Sequence, residues 1–381
     1  EGPCDNPAND IVAENCLAGN PPSEWEVNGA GDASIQGFAT DISVNRGGTI
    51  EFKIDTTAAT YDLYIYRLGY YDGDGARLVH SITGITGTDQ PACTLSAIPM
   101  GGGATTSGQL LDCGNWSTSA SWAVPADAVS GVYIARPTRT DDGGASHIPF
   151  IVRDDASDSD LLFQTSDTTW QSYNPYGGYN AYGSSGATMA EKLSYNRPFA
   201  TRGAELENYL FNAEYPMIRW LEANGYNVAY TTGVDSDRRG AKIRDHRLFL
   251  SVGHDEYWSA GQRANVEVAR DEAGVHLAFF SGNEVFWKTR WENNHRTLVC
   301  YKETHDSRKL DTSTNEWTGT WRDPRFSPPS DGGRPENALT GQIFTVNDGN
   351  NGTTTMEVPA ADGKLRFWRN TSVADLAPNT V

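Results

Sequence analysis

The chain is short of positive charge: 30 Lys and Arg stand against 49 Asp and Glu, a net charge of −19 over 381 residues. Phosphate contacts need a basic surface, so this balance argues against a nucleic-acid binder and fits an acidic, soluble, extracellular or salt-adapted protein. Long hydrophobic runs are missing as well. No segment approaches the roughly 20 apolar residues of a membrane span. Residue 1 is Glu, with no initiator Met and no signal-like stretch behind it, which reads as a mature form without its targeting segment. Cysteine is scarce, five in all. Cys4 and Cys16 flank a Pro/Asn-rich segment and Cys93 and Cys113 a Gly-rich loop. Each pair closes a short local loop, as in a secreted protein, with reduced cysteines in a cytosolic protein as the plainer alternative, and Cys300 is left over. Sequons at Asn115, Asn351 and Asn370 allow glycosylation.

Signatures of common catalysts are absent too. Neither of the strands that end in polar clusters supplies a Gly-x-Ser-x-Gly elbow, and no His-x-x-x-His pair exists. His246 and His254 stand eight apart across a strand, a weak zinc signal, and Cys300 lacks the local pattern of a catalytic thiol.

Core material is ample, at 38% hydrophobic residues with 11 Trp and 17 Tyr. The length suggests two domains. Residues 1–153 read as all-β. Ile50, Phe52 and Ile54 alternate on one face, and 61–68, 131–136 and 147–152 do likewise between Gly, Asp and Pro turns. This predicts an antiparallel sandwich of immunoglobulin-like type. The run Gly69-Tyr70-Tyr71-Asp72-Gly73-Asp74-Gly75 reads as a hairpin connection, with calcium or sugar binding as the other option. Residues 160–381 read as an α/β domain with a mostly parallel sheet. Strands are expected at 161–164, 228–230, 248–252 and 275–281, a helix along Leu206 to Leu221 stopped by Asn224-Gly225, and another over 260–273. Arg366–Arg369 is the last expected strand, and the natural chain is expected to continue beyond it.

The richest segment is Gly253-His254-Asp255-Glu256-Tyr257-Trp258-Ser259, which follows a strand, as Gly282-Asn283-Glu284 follows the next. Ligands of parallel sheets bind beyond the carboxyl ends of the strands, so both clusters mark the candidate site. The Tyr/Asn/Gly-rich stretch 170–183 forms either a lid or an interface. What the edge offers is oxygen: Asp255, Glu256, Tyr257, Glu284 and, further on, Glu336. Such donors suit a hard, Lewis-acidic ion such as ferric iron better than zinc. Each residue also has a plainer reading. Tyr257 can be a buried aromatic stacked with Trp258, Glu336 a helix-start carboxylate after Pro335, and His254 a structural hydrogen-bonding group.

The segment 213–226 (Ala213-Glu214-Tyr215-Pro216 to Asn224-Gly225-Tyr226), the His-x-Glu-Tyr-Trp element at 254–258 and Phe280-Ser281-Gly282-Asn283 with Trp287 resemble the carboxyl-terminal domain of the N,N-dimethylformamidase large-subunit family over roughly residues 160 to 370. The β-rich half, with Ile65-Tyr66-Arg67-Leu68-Gly69-Tyr70-Tyr71, is similar to the amino-terminal domain of many members. The resemblance implies an amidohydrolase with one iron (Fe3+) held by two tyrosines and a glutamate. Tyr257 lies inside the motif, while Tyr215 and Glu336 follow from approximate spacing. It implies that His254, Glu256 and Asn283 surround the ion and hold the tetrahedral intermediate. The family's amidase is intracellular, works with a separate small subunit and would carry proline where this chain has Asp255.

Two other functions remain open. A secreted, non-catalytic binding or assembly protein would suit the tyrosines, the tryptophans and the sandwich, whose edges allow a homo-oligomer. A glycosidase would need Glu256 and Glu284 facing one cleft about 5 to 10 Å apart. The expected partner is a small amide or glycan-like substrate.

Overall fold

The computed structural model describes residues 2–203, 206–280, 282–325, 333–345 and 357–380. Alternation builds the amino-terminal half. Along Thr49–Thr56 every second residue is buried, so Ile50, Phe52 and Ile54 leave water together. This strand is the centre of a three-stranded antiparallel sheet with Ile35–Ala39 and Ala120–Ala123. A second sheet has the order Ser43–Asn45, Ile148–Arg153, Gly131–Arg139, Thr60–Leu68, Ala76–Thr86. All its pairs are antiparallel except Ser43–Asn45 with Ile148–Arg153. Ile35, Phe52, Leu63, Trp122, Tyr133 and Phe150 fill the space between the two sheets. Disulfides join Cys4 to Cys16 and Cys93 to Cys113.

Larger-sheet strands Gly131–Arg139 and Ile148–Arg153 are buried on both faces. Their second face explains why. Tyr66, Leu68, Val132, Ile134 and Ile151 share a core with Phe163, Ile218, Leu221 and Tyr230 from the second half. The two halves therefore pack as one compact unit, Glu1–Ile343, and Phe344–Val381 forms a second. A boundary near residue 153 is a change of rhythm within one packed body. The Gly69–Gly75 run is a turn at this junction, where buried Tyr71 donates to Glu14 at 2.8 Å.

The second half is built on four parallel strands: β1 (Leu161–Thr165), β2 (Val228–Thr232), β3 (Leu248–Val252) and β4 (His276–Phe280), in the order β2-β1-β3-β4. Helix α1 (Asp167–Tyr173) follows β1, so the expected long loop begins as helix. Helix α2 (Tyr215–Ala223) precedes β2, and α3 (Ala260–Ala273) connects β3 to β4. Ser259 caps α3 by accepting from Gln262 N–H, and left-handed Gly274 ends it. The single helix expected from Leu206 is broken into Leu206–Asn208, Leu210–Ala213 and α2, which restarts with Pro216 in its first turn. Trp220 is 53% exposed, off the packed face.

Arg366–Trp368 forms a 3-10 turn with Phe367 82% exposed, and not the expected strand. Asn351 of the second sequon and Ser281 lie outside the described residues. Among the described residues, no helix is long and apolar enough to cross a membrane.

Candidate functional site

Strand β3 ends at Gly253, whose φ of +84° favours glycine. A Cβ there would lie 2.8 Å from Cγ of buried Glu214, so no larger residue fits. The chain then turns tightly, with Asp255 N–H donating to Gly253 and Glu256 N–H to His254, both at 3.0 Å. Tyr257–Ser259 continues as a short strand parallel to Trp287–Thr289. This turn sends its side chains in different directions. Asp255 goes inward, where its carboxylate accepts from Gln164 at 2.6 Å and Ser251 at 2.7 Å. Burial pushes it up to about 8, so it holds a proton at neutral pH. The position expected to be proline is thus a polar anchor beneath the site.

Glu256 is buried and faces the other way. Its carboxylate accepts from the hydroxyl of Tyr182 at 2.5 Å and from that of Tyr173 at 3.1 Å. His254 Nε2 lies 3.5 Å from the same carboxylate. Asn208 Oδ1 stands 2.6 Å from His254 Nδ1, and Asn283 Nδ2 lies 3.3 Å from Nε2. Asn283 reaches the ring from a left-handed backbone, φ +62°. Tyr173 and Tyr182 come from the aromatic stretch after β1, their rings 4.7 Å apart. That stretch supplies both hydroxyls that meet Glu256.

Two features give the cluster unspent capacity. Tyr257 is wholly buried, its ring edge-on to Tyr182, yet its hydroxyl has no hydrogen bond of good geometry. The Tyr182 oxygen lies near enough for that hydroxyl to oppose the rise of the Tyr182 phenol. Burial, then the charge of Glu256, pushes all three phenols well above their ordinary range, so each remains protonated. Lys302 supplies the cation. Its ammonium lies 3.0 Å from the centre of the Tyr182 ring, 5.2 Å from that of Trp287 and 5.6 Å from that of Tyr257. It donates to the Ala181 carbonyl at 2.8 Å, and burial brings it down to about 8.

Of the expected residues, the structure brings His254, Glu256, Asn283 and Tyr257 together. It places the other two elsewhere. The Tyr215 hydroxyl donates to the Gly75 carbonyl at 2.9 Å, and its ring packs on Trp25 and Phe211 between the halves. Glu336 is neutralised by Arg322. With a phenol and a carboxylate committed to these partners, Tyr257, Tyr215 and Glu336 do not form an iron ligand set, and no step below is routed through a metal. Glu284 accepts from the Gln342 amide at 2.6 Å, a partner different from those of Glu256, so the paired-carboxylate reading gains no support. His246 is held neutral by burial, its Nδ1 2.8 Å from the Ser159 carbonyl. Cys300 is buried, its thiol pushed up to about 12, an inert neighbour of Lys302. Residues unforeseen in the sequence are Asn208 and Lys302, which sit in no motif. The aromatic stretch did flag Tyr173 and Tyr182.

The sequence profile of the family described as N,N-dimethylformamidase beta subunit-like, C-terminal, matches residues 62–381. The match takes in most of the β-rich half, well before residue 160. No curated protein matches. Among solved structures, domain 1 of VCBP3 from Branchiostoma floridae is 10% identical over 32% of this chain and 97% of its own, with a TM-score of 0.18. An AA10 lytic polysaccharide monooxygenase from Streptomyces lividans is 16% identical over 29% of this chain and 58% of its own, with a TM-score of 0.17. Likenesses this slight carry no argument.

Proposed function

The chain belongs to the N,N-dimethylformamidase beta subunit-like family, and on that premise we propose that it hydrolyses an amide-type C–N bond of a small substrate at the Glu256 cluster. One observation carries the reading: a buried carboxylate under two tyrosine hydroxyls, with a histidine on one side and an unpartnered phenol on the other. Buried polar groups are normally satisfied, so the Tyr257 hydroxyl is a donor awaiting an acceptor. In this reading it meets the carbonyl oxygen of the substrate and stabilises the charge that develops there. Lys302 adds positive potential from behind the rings. Water attacks the carbonyl carbon and gives its proton to His254, while Glu256 steadies the imidazolium. The C–N bond then breaks with its electron pair on nitrogen, which takes the proton, leaving a carboxylic acid and an amine. The two disulfides support a secreted location.

The test is amine release from a panel of small formamides, acetamides and N-acetylated sugars. Wild-type protein is expected to turn over at least one of them, and Glu256→Gln to lose about 100-fold or more while remaining folded. A folded wild type inert to the whole panel, or a Glu256→Gln variant as active as wild type, removes the reading in favour of a binding protein.

A further inference from the structure

The two ring nitrogens of His254 face groups of opposite kind. Nδ1 lies 2.6 Å from Asn208 Oδ1, an acceptor with no proton to give. Nε2 lies 3.3 Å from Asn283 Nδ2, a donor with no lone pair to offer, with the acceptor Glu256 Oε2 further off at 3.5 Å. A neutral imidazole satisfies both only when the proton is on Nδ1 and the lone pair on Nε2. We infer that Asn208 is a positioning residue: it holds His254 in the Nδ1–H tautomer and so leaves Nε2, beside Glu256, as the proton acceptor of the site.

The surroundings make this arrangement firm. Asn208 is 1% exposed and stands at the end of the turn Leu206–Asn208, immediately before the Leu210–Ala213 helix, so its amide has little room to rotate. The Tyr173 ring packs against the imidazole with centroids 5.8 Å apart and limits its tilt. Asn283 comes from the opposite side, on the left-handed backbone after β4. The imidazole is thus oriented by amides from two separate segments. Neither amide can exchange protons with it.

For the reaction proposed above, the consequence is directional. The water proton arrives on Nε2 and produces an imidazolium whose Nδ1–H stays on Asn208 and whose new Nε2–H faces Glu256 Oε2, 3.5 Å away. That same proton leaves from Nε2 to the departing nitrogen, and the starting tautomer returns. Asn208 acts through His254. The catalytic consequence rests on the hydrolase reading, whereas the tautomer does not.

The experiment is long-range 1H–15N correlation of the imidazoles in the full chain labelled with 15N-histidine, at about pH 8.5, two units above the ordinary histidine pKa. His254 is assigned by the signals lost in His254→Gln. Two histidines serve as references. His246, with Nδ1 on the Ser159 carbonyl, is expected as Nδ1–H; His147, with Nε2 2.6 Å from the Trp25 carbonyl, as Nε2–H. His254 is expected as Nδ1–H. Asn208→Ala is expected to give a mixture of tautomers, and Asn208→Asp, which keeps the acceptor, to restore Nδ1–H. With an amide that is turned over, Asn208→Ala lowers kcat about 10–100-fold with KM near wild type. An Nε2–H signal in wild type, or a tautomer and kcat indifferent to Asn208→Ala, overturns the assignment. Nδ1–H without any turnover keeps Asn208 in place and removes only the hydrolase, while turnover with Nε2–H does the reverse.

Discussion

Two buried clusters in this molecule are made of the same parts and behave differently. At the junction of the halves, Glu222 meets two tyrosines and a cation: Arg67 binds its carboxylate with both arms at 2.8 and 2.9 Å, and Tyr230 donates at 2.8 Å. Tyr71 completes the group through Arg67 at 3.1 Å. At the candidate site, Glu256 also meets two tyrosines, but its cation, Lys302, lies over a ring and binds a backbone carbonyl instead. The first carboxylate is matched by a guanidinium that fits it, although Arg67 Nε is left without a partner. The second has its positive charge engaged by a ring and a carbonyl, and a phenol without a partner. A carboxylate paired to its own guanidinium specifies structure, whereas one whose cation is engaged elsewhere is prepared for something that comes and goes. Composition alone does not tell the two apart.

The contrast is sharpest under substitution. Arg67→Ala strands a charge that is wholly buried, and is expected to cost about 3–5 kcal/mol in denaturant unfolding. Arg67→Met with Glu222→Leu should recover most of that, because a buried ion pair is replaceable by apolar packing of similar volume. Acid is a second way to break the junction. Burial brings His147, which contacts Trp25 and Thr201, down to about 3. The unfolded chain therefore binds the extra proton between about pH 6.5 and 3, and this residue's contribution is lost as the pH falls through that window. Compared with His147→Gln, wild type should show an added slope of up to about 1.4 kcal/mol per pH unit there. Equal slopes would mean that the imidazole is accessible to water. Tyr215→Phe is the mildest change, with an expected loss of about 1 kcal/mol from the missing bond to Gly75. Amide hydrolysis should be unchanged; a large fall would return Tyr215 to the chemistry.

These contrasts also show what the sequence discloses. Helix α3 is legible to the residue, because a serine cap and a stop glycine bracket a clean pattern. The parallel strands are legible as apolar runs ending in Gly253 or in polar clusters, and the edge where His254, Glu256 and Tyr257 emerge follows from topology. The fusion of the halves is not. Strands such as Ile148–Arg153, buried on both faces, look like ordinary sandwich strands until the second half is seen to cover them. Ligand choice by spacing failed for a related reason. Tyr215 opens α2, but the turn at Gly75 folds beneath it and takes its hydroxyl. Asn208 and Lys302 belong to no periodic pattern and reach the site only through tertiary packing.

The central claim is that the unpartnered hydroxyl of Tyr257 is kept for a reacting carbonyl at some cost to stability. Tyr257→Phe measures this directly, by unfolding and by amine release from the same preparation. The expected result is a protein as stable as wild type, or more stable by up to about 1 kcal/mol, since an unsatisfied buried donor has been removed, with turnover about 100- to 1,000-fold lower. A variant that is clearly less stable, or one that hydrolyses amides at the wild-type rate, would contradict it.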